Sequence, residues 1–307
     1  MVDRLAGTAP ATAAWAPVLA LVFNAFVWGV SWWPFRHLHA MGLHPLWATA
    51  GVYLFSLACL LLVRPAALRH AVRHPSLCWL AIAAGLTNIG FNWAVTVGDV
   101  VRVVLLFYLM PAWAVLLAWV LLGERPTAVA LLRLLLALLG VAVVLDSGQA
   151  GLPLPRSLPD WLALMGGFTF ALTNILLRRL QAAPAESRVL AMFGGGTLMA
   201  VAAAWLGMQL GVAEAPVAPP AAFAYALGLA VAFLLGNVAL QFGAARLAAH
   251  TTALVMLSEV VFASASSVWL GAAETSLRTW VGAALIVLAA AWSAWPTRRA
   301  LRELPST

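Results

Sequence analysis

Ten apolar stretches separated by short polar or proline-containing gaps organise the chain, at roughly 17–35, 44–63, 76–97, 101–122, 128–146, 158–178, 187–210, 220–243, 249–271 and 277–296. A helix rises ~1.5 Å per residue, so stretches of this length cover ~30 Å, the hydrocarbon thickness of a bilayer. The pattern predicts ten membrane-spanning helices, called here segments 1 to 10. Pro34, Pro65, Pro75, Pro126, LPLPRSLP at 152–159, Pro184 and APPAA at 218–222 fall in or beside the gaps, where helices are interrupted. Segment 1 follows MVDRLAGTAPATAAWA and has no convincing small-residue cleavage site behind it. It is expected to stay in the mature protein.

Composition strengthens the membrane reading. The chain is 64% hydrophobic and 9% charged, whereas soluble domains carry about 25% charged residues. The expected class is an all-α integral membrane protein. Its net charge of +7 comes from 17 arginines without a lysine. They fall between apolar segments instead of on one soluble face, which argues against nucleic-acid binding. With a cytoplasmic N-terminus, Arg4, Arg64, Arg69, Arg73, Arg125, Arg178, Arg179, Arg188, Arg246, Arg298, Arg299 and Arg302 lie on the cytoplasmic side. Only Arg36, Arg102, Arg156 and Arg278 lie opposite, and Arg133 sits inside segment 5, where it can snorkel to the cytoplasmic interface. The positive-inside bias places both termini in the cytoplasm.

Several chemistries are disfavoured. Without a lysine there is no P-loop and no ATP site. There is no H-E-x-x-H and only one carboxylate deep in a segment, so the chain is not expected to be an enzyme. The three histidines of RHLHAMGLH (36–44) are irregularly spaced in a predicted loop and match no metal-ligand pattern; no cofactor or metal is expected. Cys59 and Cys78 fall near cytoplasmic segment ends and are expected to be free thiols.

The chain also repeats itself. WGVSWWPFRHL (28–38) lies over FALTNILLRRL (170–180), pairing Trp28 with Phe170, Ser31 with Thr173 and Arg36 with Arg178. GFNWAVTVG (90–98) continues the register, with Asn92 over Asn237, Thr96 over Gln241 and Gly98 over Gly243. WVLLGE (119–124) and VWLGAAE (268–274) close the two copies. The expected organisation is a tail at 1–16, a five-helix unit at 17–148, a linker at 149–157, a second unit at 158–296 and a tail at 297–307. Five is odd, so the second unit must enter the membrane from the opposite side. Such inverted-topology repeats are typical of secondary transporters.

The stretch NWAVTVGDVVRVVLLFYLMPAWAVLLAWVLLGERPT, with its counterpart from Asn237 to Glu274 and on to WVGAALIVLA (280–289), resembles the two EamA domains of the drug/metabolite transporter superfamily. The resemblance implies ten helices in two inverted five-helix repeats and export of small metabolites by alternating access. Within the superfamily the chain is most similar to bacterial YddG-type aromatic amino acid exporters. That implies residence in the inner membrane and neutral or aromatic amino acids as cargo, with a broad drug or metabolite exporter as the alternative. The glutamate typical of the family's ninth helix matches Glu259. The proline commonly following it is Val260 here, which leaves a helix break at that point open.

Helical spacing selects the candidate cargo-binding residues. They are Asn24, Trp28, Ser31 and Trp32 on segment 1; Asn88, Asn92 and Trp93, with Thr96 in line, on segment 3; Tyr108 on segment 4; Phe170, Thr173 and Asn174 on segment 6; and Asn237 and Gln241, with Phe233, on segment 8. Polar side chains at membrane depth need partners or water, so a shared cavity accounts for all of them, while helix-to-helix hydrogen bonding accounts for any one. Glu259, near the middle of segment 9, is either a proton-coupling group or a packing residue: Ala263, Ser267 and Gly271 follow it as a stripe that admits a close neighbour. Trp15, Trp33, Trp161 and Trp295 read as interfacial anchors.

Overall fold

The computed structural model describes residues 12–123, 125–145, 155–217, 219–244, 246, 255–272 and 276–294. The regular elements among them are helices: α1 (Thr12–Val30), α2 (Trp32–Ala40), α3 (Pro45–Val63), α4 (Ala66–Val72), α5 (Leu77–Val97), α6 (Val100–Phe107), α7 (Met110–Leu122), α8 (Ala128–Leu145), α9 (Leu158–Arg179), α10 (Ala185–Gln209), α11 (Pro220–Ala244), α12 (Ser258–Trp269) and α13 (Leu277–Ala294). Among the described residues, seven spans are long and apolar enough to cross a membrane: Trp15–Ala40, Pro45–Val63, Leu77–Val97, Val100–Leu122, Leu158–Arg179, Ala185–Gln209 and Pro220–Leu240. Ala128–Val143 and Leu277–Ala289 are shorter apolar helices at segments 5 and 10. The start of segment 9, residues 249–254, lies outside the described residues, as do most of the linker and both tails.

Among the described residues, three segments are broken where the apolar pattern predicts one helix. In segment 1 the break is at Ser31: Pro34 has no N–H for the Val30 carbonyl, and the helix restarts at Trp32. It then runs on to Ala40, so Arg36, His37 and His39 are helical and only 41–44 form the turn; the predicted loop at 36–44 is corrected accordingly. In segment 4, Pro111 leaves the Phe107 carbonyl without its i+4 donor, and the chain turns at Tyr108–Leu109. In segment 9 the turn is at Leu257, where the Val260 N–H reaches the Leu257 carbonyl (3.1 Å) in an i→i+3 bond. No proline is needed there.

Contacts at the helix ends define two faces. On one, Arg36 in the middle of α2 donates to the carbonyls of Val95 and Gly98 at the end of α5, and Arg102 at the start of α6 pairs with Asp160 at the start of α9. On the other, His70 of α4 meets Glu186 at the start of α10 (3.2 Å), beside Ser187, which donates to the Ala67 carbonyl. α1–α2 therefore runs toward the Arg102 face and α9 runs away from it. Between the faces, glycines let helices touch along their backbones. A Cβ on Gly90 would lie 2.7 Å from the Leu162 carbonyl, and one on Gly195 would lie 2.0 Å from that of Ala81. α5 is thereby clasped between α9 and α10.

The largest buried apolar cluster gathers Val100, Val101 and Val103–Leu109 with Trp32, Phe91, Leu162, Ala163, Val260 and Ala263. It joins both parts of the chain between the middle and the Arg102 face. Trp15, Trp33 and Trp161 are exposed, as interfacial anchors would be, while Trp295 lies outside the described residues.

Candidate functional site

Of the sequence-selected residues, Tyr108, Glu259 and Asn24 meet around the two breaks of segments 4 and 9. Tyr108, at the end of α6, is fully buried, and its hydroxyl lies 3.0 Å from the Met256 carbonyl and 3.0 Å from Glu259 Oε2. Glu259 occupies the first turn of α12 at 6% exposure. From α1, Asn24 donates weakly to Met256 Sδ (3.5 Å), and Gly29 brings its backbone onto α12: a Cβ there would sit 2.9 Å from the Glu259 carbonyl. The small-residue stripe beginning at Glu259 thus has α1 as its neighbour, and Ala263 and Ser267 are fully buried.

Rings fill the same level. Trp28 stacks on Phe233 (centroids 4.6 Å apart, 20° between planes) and meets Phe91 edge-on at 5.8 Å. Phe91 continues to Phe107 (4.8 Å) and Phe107 to Phe170 (5.5 Å), while Tyr53 closes on Phe233 at 5.9 Å. Six aromatic side chains from both parts of the chain therefore form one continuous row. Such offset and edge-on pairs favour one another beyond the area they bury. Trp28 and Phe170 are half-buried; the other four are buried.

The polar candidates divide by environment. Asn92 donates to Thr49 Oγ1 (3.2 Å), while its Oδ1 is buried without a hydrogen-bond partner, as are Asn24 Oδ1 and Thr173 Oγ1. Asn88 is buried, Asn237 half-buried, and Asn174, on the His70-face half of α9, is exposed. Ser31 is turned back on its own helix, donating to the Trp28 carbonyl (2.8 Å). Trp32 is buried and donates from Nε1 to Ser266 Oγ (3.0 Å), tying α2 to α12. Trp93 is half-buried, with His44 edge-on at 5.0 Å. The side chain of Gln241 lies outside the described residues.

At the Arg102 face, an ion pair that sequence reasoning missed joins the start of α6 to the start of α9. Arg102 Nε and Nη2 donate to the two Asp160 oxygens at 2.7 and 3.1 Å. Asp160 also accepts from the Arg156 N–H, and its own N–H donates to Ser157 Oγ, which caps α9. A two-pronged guanidinium–carboxylate contact fixes geometry as well as charge. The signal available was SLPD at 157–160, an N-cap serine followed by an acid in the first turn. Its partner, 58 residues away in sequence, carried no signal.

One solved structure, titled only as the crystal structure of a protein, superimposes with a TM-score of 0.58 over 93% of this chain and 98% of its own, at 20% identity. At that identity the likeness is one of fold. No match was found among curated proteins. Residues 15–146, which contain segments 1 to 5 and both Tyr108 and the break beside it, match the model of the EamA-like transporter family.

Proposed function

We propose that this chain is a secondary transporter of the drug/metabolite transporter superfamily, built as ten spans in two inverted five-helix repeats. It exports aromatic and other neutral amino acids by alternating access across the bacterial inner membrane. The observation that carries the cargo assignment is the row of six rings at the level of the two helix breaks. A cargo ring that extends this row at its half-buried members, Trp28 or Phe170, gains stacking area. Asn174, Asn237 and the unpartnered oxygens of Asn24, Asn92 and Thr173 offer hydrogen bonds to an ammonium and a carboxylate. Residues near this level carry amides and hydroxyls with a single carboxylate, which suits a zwitterion better than a lipophilic cation or a phosphorylated metabolite.

The antiparallel run of α1–α2 and α9 supports the inverted arrangement. With the arginine-rich side cytoplasmic, the His70 face looks inward and the Arg102 face outward. The ion pair and the large apolar cluster then close the outward side. The exposed Asn174 belongs to the inward half.

The test is uptake of labelled phenylalanine by liposomes carrying the purified protein against empty liposomes. Saturable uptake, competed by tryptophan and tyrosine, is expected. Uptake blocked only by lipophilic drugs would assign the chain to drug or metabolite export instead, and no protein-dependent flux of either kind would overturn the transport reading.

A further inference from the structure

The two bonds of the Tyr108 hydroxyl require more protons than the phenol has. Met256 offers a carbonyl, which only accepts. If the phenol donates to it, the 3.0 Å contact with Glu259 needs a proton from the carboxyl. If Glu259 is ionised, the phenol must donate to the carboxylate, and the Met256 carbonyl then faces another acceptor. A protonated Glu259 is the state in which both contacts are full hydrogen bonds.

Its surroundings agree. Glu259 is held by α1 and by the end of α6. The sequence of α1, TAAWAPVLALVFNAFVWGV, has no charged residue. α6 has one, Arg102, which is engaged with Asp160 at the opposite end of its helix. Among the described residues of these neighbours, Tyr108 is the one titratable group that meets the carboxyl. A carboxylate desolvated without a cation is strongly disfavoured.

The bond also joins two mechanical elements. Tyr108 sits at the break of segment 4, Met256 and Glu259 flank the break of segment 9, and Asn24 reaches Met256 from α1. We propose that Glu259, Tyr108 and the Met256 carbonyl form a one-proton latch across the two broken segments, closed in this structure, whose release opens the Arg102 face. In the closed latch Glu259 donates to the phenol oxygen and the phenol donates to Met256. When the carboxyl O–H bond breaks and its proton passes to water, the phenol proton turns to the carboxylate and the Met256 carbonyl is freed. One proton leaves per opening, and nothing is oxidised or reduced.

The latch rests on the reading of the chain as a transporter that opens to both faces, and its test needs no cargo. With Cys59 and Cys78 replaced by serine, Ala163→Cys places a thiol in the fully buried cluster beneath the Arg102 face, and Ala40→Cys places an exposed reference at the same face. The rate at which a membrane-impermeant maleimide labels each is measured in proteoliposomes from about pH 5 to about pH 9, a range that crosses a buried carboxyl's titration. The ratio of the two rates is expected to rise about fivefold or more with pH, the equivalent of one net hydrogen bond. Glu259→Gln, which keeps a donor at this position, should hold the ratio low and flat. Tyr108→Phe should make it flat and high. A flat ratio in the parent, or an unchanged rise in either variant, overturns the latch. Those outcomes leave amino acid export standing, just as absent phenylalanine flux leaves the labelling result intact.

Discussion

Segments 4 and 9 break at the same level for different reasons. In segment 4 the cause is local: Pro111 has no N–H for the Phe107 carbonyl. That carbonyl is covered by α9 at Gly167, where a Cβ would lie 2.5 Å from the oxygen. In segment 9 the residue after Glu259 is Val260, whose N–H is spent on Leu257, and the Met256 carbonyl takes the phenol of Tyr108. One break is written into the backbone chemistry; the other is held by a side chain from a distant segment. A break held in the second way can be let go.

Proline substitutions separate the two cases most strongly. Ala265→Pro, at an exposed position inside α12, should cost ~3 kcal/mol or more, as in any intact helix. Val260→Pro meets a backbone already turned and should cost about 1 kcal/mol, one net hydrogen bond. Thermal unfolding in detergent compares them, and equal losses would mean that segment 9 is continuous. Next in size is Gly167→Ala, which drives a methyl onto the Phe107 carbonyl. It should cost ~1 to 3 kcal/mol, as overpacking does, and a Tm equal to that of the parent would deny the close approach of α9. Tyr108→Phe removes the hydrogen bonds that hold the second break. Its expected cost of about 1 kcal/mol should shrink but not vanish in a Glu259→Ala background, where the phenol loses its Glu259 contact and keeps the Met256 carbonyl.

The smallest effect lies outside the membrane. His44 caps α3 by accepting the Leu46 N–H at Nδ1 (3.3 Å), and burial, followed by the nearby His39, lowers its pKa. Its folded pKa lies below the unfolded value, so its contribution is complete above about pH 6.5 and is lost as pH falls from there toward the folded value. Acidification should lower Tm by less than the loss of an N-cap, about 1 kcal/mol. His44→Asn, which caps without titrating, should remove that slope.

Much of the fold was legible because membrane spans are written in long apolar runs. Nine of the ten predicted segments coincide with candidate spans or shorter apolar helices, and the remaining one, segment 9, contains α12. Helix α4 was missed because AALRHAV is short and amphipathic, held by the burial of Ala67 beside Ser187. The candidate site was legible in part. Asn24, Trp28, Tyr108, Phe170 and Glu259 were visible as polar or aromatic residues at unusual depth. Which of them touch was not, because hydrogen-bond partners such as Tyr108 and Glu259 are 151 residues apart.

The sequence by itself determined that the chain is helical, apolar and punctuated, since hydrophobic run length and proline are local properties that the bilayer and the backbone read directly. Pro34 and Pro111 are local signals too, yet the apolar pattern carries segments 1 and 4 through them as single helices, and Pro17 lies inside α1 without a break. Only the tertiary structure decided that segment 9 breaks without a proline, that Arg102 finds Asp160, and that the one deep carboxylate meets a phenol and no cation. Those outcomes depend on which helices lie side by side, and side-chain partners across helices are fixed by packing, which no local pattern encodes.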